Sequence, residues 1–163
     1  MKKLMMIAAM VLMSTGAFAQ EAGKMAVGAT LTDLLDSDSR IGFGAKFQYG
    51  INENFRAEAD FKLFPAKYHV SVWNPTLNVH YLFPIFDKFY VYGIGGLGLW
   101  GYSYSYEGYS DSSSIFTFKF GAGAEYYITD QFKGLVETYY QIAKKDGYNY
   151  TDPLISIGAA YCF

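Results

Sequence analysis

The sequence predicts an all-β chain, an eight-stranded antiparallel up-and-down transmembrane β-barrel behind an N-terminal export signal. Three observations carry that expectation. The chain begins with a charged, then apolar stretch ending in a small-residue cleavage pattern. The remainder resolves into eight segments of alternating apolar and polar residues. The connections between those segments alternate between tight and long.

Lys2 and Lys3 give a positive start, Leu4 to Met13 is unbroken apolar sequence, and Ala17-Phe18-Ala19 has the small-x-small form of a cleavage site. Residues 1–19 are therefore expected to be a signal peptide, with the barrel domain spanning 20–163. The apolar run is shorter than the roughly 20 residues of a membrane-spanning helix. Aromatic residues make up 20% of the chain and charged residues only 17%, against about 25% charged in soluble domains. Without Lys2 and Lys3, 11 basic residues face 15 acidic ones, which excludes a nucleic-acid surface. Cys162 is the only cysteine, so no intrachain disulfide staples the fold. A closed ladder needs none, because it pairs its own backbone.

Eight period-two segments follow in order. In Gly23 to Leu31, Met25, Val27, Ala29 and Leu31 oppose Lys24, Ala26, Gly28 and Thr30. Arg40 to Tyr49 sets Ile41, Phe43, Ala45 and Phe47 against Lys46 and Gln48. Phe55 to Phe64 is the clearest, with Phe55, Ala57, Ala59, Phe61 and Leu63 opposite Arg56, Glu58, Asp60 and Lys62. Val70 to Phe83 places His80 with Asn74, Thr76 and Asn78, and Pro75 weakens its middle because it cannot donate to a ladder. Phe89 to Tyr102 is glycine-rich and its faces stay unassigned. Ile115 to Ile128 sets Phe116, Phe118 and Phe120 against Lys119 and Glu125. Gly134 to Ala143 carries Glu137, Tyr139 and Gln141 on its polar side, and Leu154 to Phe163 closes the series.

Connections after the second, fourth and sixth segments are tight, spanning 50–54, 84–88 and 129–133. Those after the first, third, fifth and seventh span 32–39, 65–69, 103–114 and 144–153, and are generally longer or more polar. Short turns on one side and longer loops on the other mark a bacterial membrane barrel, with the short turns periplasmic. Such a barrel reverses the polarity of a soluble sandwich, turning its apolar face to lipid and its polar face to the lumen. Aromatic residues near the short turns (Tyr49, Phe55, Phe83, Tyr126 and Phe163) suit an interfacial girdle.

Alternation from Ile155 to the final Phe163 resembles the terminal-strand signature of outer-membrane barrels, an aromatic last residue with Tyr161 two before it. With the signal and the eight segments, the mature chain resembles the small eight-stranded outer-membrane barrels, the family of the transmembrane domain of outer-membrane protein A. The resemblance implies that Tyr161 and Phe163 form an assembly signal. It also implies that outer-membrane lipid, lipopolysaccharide and the barrel-assembly machinery are partners.

The inward face is expected to hold a charge network of Lys24, Lys46, Arg56, Glu58, Asp60, Lys62, His80, Lys119, Glu125 and Glu137. Eight strands enclose only enough space for side chains, and charges confined there must pair. A packed plug is the expectation and an ion path the alternative. Cys162 falls on the inward face as an inert small residue.

Two motifs carry letters of other chemistries. Gly93 to Gly98 spells G-x-G-x-x-G, but Trp100, Tyr102, Tyr104 and Tyr106 continue an extended pattern where a dinucleotide site needs a helix. His69-Val70-Ser71 resembles the His-x-Ser pair of lipid A deacylases. Val72 and Trp73 follow where that family has Asn-Ala, and Phe83 stands near the place of its acidic member. An enzyme is not expected, nor a cofactor or metal centre; Asp33, Asp36 and Asp38 suit a solvated acidic loop. Function is expected in the surface loops, where Tyr104, Tyr106, Tyr109, Tyr148 and Tyr150 stand among Ser and Gly. Tyrosine offers binding area at small entropic cost. These five are the candidate recognition residues for an unidentified extracellular ligand.

Overall fold

The computed structural model describes residues 22–35, 40–67, 70–106, 109–145 and 148–163. Residues 1–21, which hold the expected signal, lie outside the described residues, as do Asp36, Asp38 and His69. Eight strands follow one another: β1 (Met25–Leu34), β2 (Arg40–Gly50), β3 (Phe55–Lys67), β4 (Val70–Phe86), β5 (Phe89–Tyr106), β6 (Tyr109–Tyr127), β7 (Phe132–Lys145) and β8 (Tyr148–Cys162). Each pairs antiparallel with its sequence neighbours, and β8 returns to β1, so the sheet is a closed barrel in simple up-and-down order. The last rung joins the chain ends, where Met25 and Phe163 exchange backbone hydrogen bonds of 3.1 and 2.9 Å.

Local chemistry sets the turns. In Ile51 to Phe55, Asn52 Oδ1 accepts from the N–H groups of Asn54 and Phe55 at 3.0 and 2.8 Å. In Ile128 to Phe132, Thr129 Oγ1 does the same for Gln131 and Phe132 at 3.3 and 3.0 Å. A short polar side chain thus mimics backbone and holds each turn. The connection between β4 and β5 shrinks to Asp87-Lys88, with Lys88 in the left-handed region at φ 66°. A register shift between Pro84 and Phe86 accommodates it.

Pro75 does not break β4. It faces outward opposite Phe61 of β3, and the β4–β5 register resumes unchanged around it. Proline has no N–H to give β5, and Asn74 Nδ2 donates to the Leu99 carbonyl instead, at 2.7 Å. The upper strands outrun their expected lengths, and most of the expected loop 103–114 is ladder, paired to Tyr106 opposite Tyr109.

Polarity is inverted from that of a soluble protein. Outward side chains such as Leu77, Phe43 and Phe118 are exposed, while Arg56, Lys62 and His80 have no accessible surface. Free energy favours this only where lipid replaces water outside. At the short-turn end the outward rings touch in series. Phe55 meets Tyr81 (centroids 5.0 Å apart), Tyr81 meets Phe83 (4.6 Å), Phe132 meets Tyr161 (5.0 Å) and Tyr161 meets Phe163 (6.3 Å). The inward face of β5 is aromatic, apolar and small rather than charged: Tyr90, Tyr92, Ile94, Gly96, Gly98 and Trp100 follow one another along it. Gly96 lies directly under the Asn78 side chain, where a Cβ would collide.

A closed ladder resists detergent unfolding until heated. Unboiled protein is expected to migrate apart from boiled protein on a denaturing gel; identical migration of the two samples would rule the closed barrel out.

Candidate functional site

Five buried cations and four buried carboxylates occupy the lumen among the described residues: Lys46, Arg56, Lys62, Lys119 and Lys133 with Glu58, Asp60, Glu125 and Glu137. They fall into three tiers. Nearest the short turns, the Arg56 guanidinium donates through Nη1 to both Glu125 oxygens at 2.8 Å. Lys133 Nζ donates to the same carboxylate at 3.1 Å. Arg56 also lies over the Tyr92 ring at 4.9 Å, and Lys133 over Tyr127 at 5.4 Å. One carboxylate thus serves two cations, whose remaining charge rests on ring faces.

In the middle tier the ratio reverses. Lys46 Nζ stands 2.7 Å from Glu137 Oε1 and 3.0 Å from Glu58 Oε2. Gln48 and Asn78 donate to Glu58 at 2.8 and 2.9 Å, and the Tyr92 hydroxyl donates to Glu137 at 2.9 Å. In the upper tier Asp60 pairs with Lys62 and, at 3.4 Å, with Lys119. Both ammonium groups lie over the Tyr139 ring, at 5.3 and 4.0 Å.

His80 links the lower and middle tiers. Arg56 places Nε and Nη2 at 3.3 and 3.0 Å from His80 Nδ1. A guanidinium only donates, so Nδ1 is the acceptor and the ring proton sits on Nε2. That nitrogen faces Glu58 Oε1 across 3.5 Å, and the ring stacks on Tyr92 at 4.8 Å. Glu58, His80 and Glu137 bring ligand-type atoms within 4.8 Å of one another. The donor set does not fit a cation: Lys46 already sits between the carboxylates, and the accepting nitrogen of His80 is engaged by Arg56.

Apolar clusters bracket these tiers. Above, at the long-loop end, Phe64, Val72, Trp100, Tyr139 and Leu154 pack together. Below, Ala26, Leu135, Ala160 and Cys162 form one cluster and Leu82, Tyr90, Tyr92 and Ile94 another, both reaching Tyr127. Cys162 lies inward in an apolar setting.

Of the ten expected network residues, nine are buried in the lumen. Lys24 is not: it is exposed just before β1, where its carbonyl accepts from the Gly50 N–H at 2.9 Å, so the right parity leads it out of the lumen. Lys133 was assigned to a turn but belongs inside, because β7 starts at Phe132. Its parity with Leu135, Glu137 and Tyr139 was the available signal. Tyr92 escaped notice because the faces of β5 were unassigned. Tyr161 and Phe163 face outward in the aromatic series. Tyr104, Tyr106, Tyr109 and Tyr148 lie in the uppermost strand ends, where only the backbone is described, and Tyr150 is exposed on β8. Ser71 directs its hydroxyl to the Ser103 carbonyl at 3.4 Å, in keeping with a ladder residue.

Removing one member of a buried ion pair strands the other. Glu125→Gln leaves Arg56 and Lys133 without a carboxylate and is expected to cost about 3–5 kcal/mol, measured as the denaturant midpoint of lipid-refolded protein. Lys88→Ala at the exposed Lys88–Asp130 pair, 3.8 Å apart, is expected to cost under about 1 kcal/mol. Equal midpoints for the two variants would contradict a stabilising network.

Comparison with known proteins agrees with the geometry. Residues 5–163 match the family model described as the outer membrane protein β-barrel domain. No functionally curated protein matches the chain in sequence. Among solved structures, the N-terminal β-barrel domain of Pseudomonas aeruginosa OprF superposes with a TM-score of 0.71 at 14% identity, covering 88% of this chain and 100% of that one. Neisserial surface protein A gives 0.64 at 16% identity, over 85% of this chain and 94% of its own. Ail, the attachment invasion locus protein of Yersinia pestis, gives 0.57 at 19% identity, over 87% and 99%. At these identities the likenesses speak to the fold. Closed ladder, lipid-turned apolar face and family match agree: the chain belongs to the outer membrane β-barrel family and is an eight-stranded barrel of the outer membrane.

Proposed function

We propose that the protein is a non-enzymatic surface-binding barrel whose lumen is a structural plug and whose binding surface is the outer end of the β5–β6 hairpin. The observation that carries this reading is a change of composition along a continuous ladder. Up to Leu99 and Phe116 the outward positions of the pair are apolar and exposed or half-buried, as lipid contact requires. Above them the outward positions become Gly101 and Ser103 on β5 and Ser114 and Ser112 on β6, while pairing continues to Tyr106 opposite Tyr109. Those six register pairs extend about 17 Å along the strands. The hairpin thus leaves the hydrocarbon as ordered sheet. Tyr104, Tyr106 and Tyr109 stand at or near its tip, in the tyrosine–serine composition that binding surfaces favour.

The plug half of the proposal is supported by the apolar clusters above and below the charges. An ion crossing the barrel would have to pass both and separate paired charges, so conductance is not favoured. Ail has been crystallised with the heparin analogue sucrose octasulfate. The outer segments of this chain (32–39, 65–69, 103–114 and 144–153) carry seven acidic and three basic residues. A sulfated polysaccharide is therefore a poor match, and a basic protein surface a better one.

Two measurements test the two halves. Purified protein in planar bilayers is expected to give no reproducible open events; events abolished in Arg56 or Glu58 variants would favour a channel. Replacing Tyr104, Tyr106 and Tyr109 with Ser is expected to lower binding of barrel-bearing cells to host cells or matrix proteins, with heat-modifiable migration retained. Unchanged binding with lowered barrel stability would make these tyrosines interfacial belt residues and end the surface-binding reading.

A further inference from the structure

His80 is the point at which the lower and middle tiers meet, and histidine is the side chain whose charge changes near neutral pH. The ring is held on every side. From β3, Arg56 donates through Nε and Nη2 to Nδ1 at 3.3 and 3.0 Å, and Glu58 Oε1 lies 3.5 Å from Nε2. From β5, Tyr92 stacks on the ring at 4.8 Å and also lies under Arg56. From β7, Glu137 brings a carboxylate oxygen within 4.8 Å. Behind these stand Lys46 of β2, paired with Glu58 and Glu137, and Glu125 of β6, which takes Arg56 through both oxygens. Lys119 of β6 and Lys133 of β7 are turned to Asp60 and Glu125. His80 has no accessible surface, so no solvent shell relieves a charge placed on it.

This arrangement needs a bare Nδ1. A guanidinium offers only N–H donors, so the lone pair on Nδ1 is what holds Arg56 against the ring. A proton there turns the acceptor into a donor, and two cations then face each other N–H to N–H. Arg56 has its other acceptor in Glu125, which it already engages through Nη1 and shares with Lys133. The carboxylates beyond the ring are largely occupied. Glu58 takes Lys46, Gln48 and Asn78, and Glu137 Oε1 takes Lys46 and the Tyr92 hydroxyl. A second cation at that place competes with Lys46.

We infer that His80 is an acid-operated latch between the tiers. Neutral, it ties the lower tier to the middle one through Arg56; protonated, it releases Arg56, turns to Glu58 and Glu137, and the barrel loosens. This goes beyond the surface-binding proposal and does not depend on it. In the unfolded chain histidine takes its proton near pH 6.5, whereas the folded lumen takes one only by giving up the Arg56 contact. Below about pH 6.5 the unfolded state therefore binds more protons, and stability falls as pH falls.

The test is urea unfolding of full-length protein in lipid bilayers at pH 7.5 and pH 5.5, with gel migration as the check that each variant folds. The unfolding constant of the parent is expected to rise about tenfold between the two, the change that one proton taken up near pH 6.5 produces. His80→Asn puts an amide oxygen near the place of Nδ1, where it accepts from Arg56 and does not titrate. Its constant is expected to change by less than about twofold over the same interval. The second histidine, His69, is present in both proteins, so their difference isolates His80. A parent constant that is unchanged or falls on acidification would overturn the latch, as would an equal rise in His80→Asn. Should His80→Asn fail to fold, nitrogen NMR reads the latch in unaltered protein. The ring is expected to be neutral at pH 7.5, and the Arg56 Nε–H signal to move, or the folded signals to vanish, as the ring takes its proton. A ring already charged at pH 7.5, or an Arg56 signal that stays in place while the ring charges, would overturn it.

Discussion

Closure of the backbone ladder is the constraint on which the rest of the molecule depends. Inside hydrocarbon an unpaired N–H or C=O costs several kcal/mol, so the only acceptable sheet is one whose last strand finds its first. The β1–β8 pairing, running from Ala26 opposite Cys162 to Leu34 opposite Leu154, satisfies that demand. Closure then fixes what each side of every strand must be. Outward positions meet lipid and are apolar. Inward positions meet one another in a space too narrow for bulk water and must satisfy each other.

Mutual satisfaction explains the tiered lumen. Buried ions are tolerated when each charge has an opposite neighbour and its remaining hydrogen-bond capacity is used. Lower and upper tiers each have two cations to one carboxylate, and aromatic faces of Tyr92, Tyr127 and Tyr139 take up the excess. The middle tier has two carboxylates to one ammonium, with neutral amide and hydroxyl donors from Gln48, Asn78 and Tyr92 facing the carboxylates as well. Five cations against four carboxylates is therefore an arrangement distributed along the axis rather than a set of isolated pairs. Glycines on the inner wall make room for it, as at Gly123, where the Tyr92 ring occupies the place of a side chain.

Above the hydrocarbon the constraint relaxes, because water can satisfy backbone groups. There the strands no longer need to end together: β5 and β6 run on while β7 turns back into β8. The same chemistry that forbids an open edge within the membrane permits one beyond it.

The strand count, the polarity of most faces and most of the lumen's charged residues follow from the sequence, because a period-two pattern is a local property of consecutive side chains. Arg56, Glu58, Asp60 and Lys62 are assigned inward by parity alone, as are Lys119, Glu125 and Glu137. Parity does not set height: Lys24 has the right phase but lies outside the lumen, and Lys133, with the right phase too, lies inside it though the sequence placed it in a turn. Nor does parity help where glycine and aromatic residues occupy both faces, which is why β5 was unreadable and Tyr92 was missed. Partnerships are decided only by tertiary structure: Arg56 meets Glu125, 69 residues away, and Lys46 meets Glu137, 91 residues away. Such pairs depend on how strands stagger around a closed ring, and no single strand contains that information.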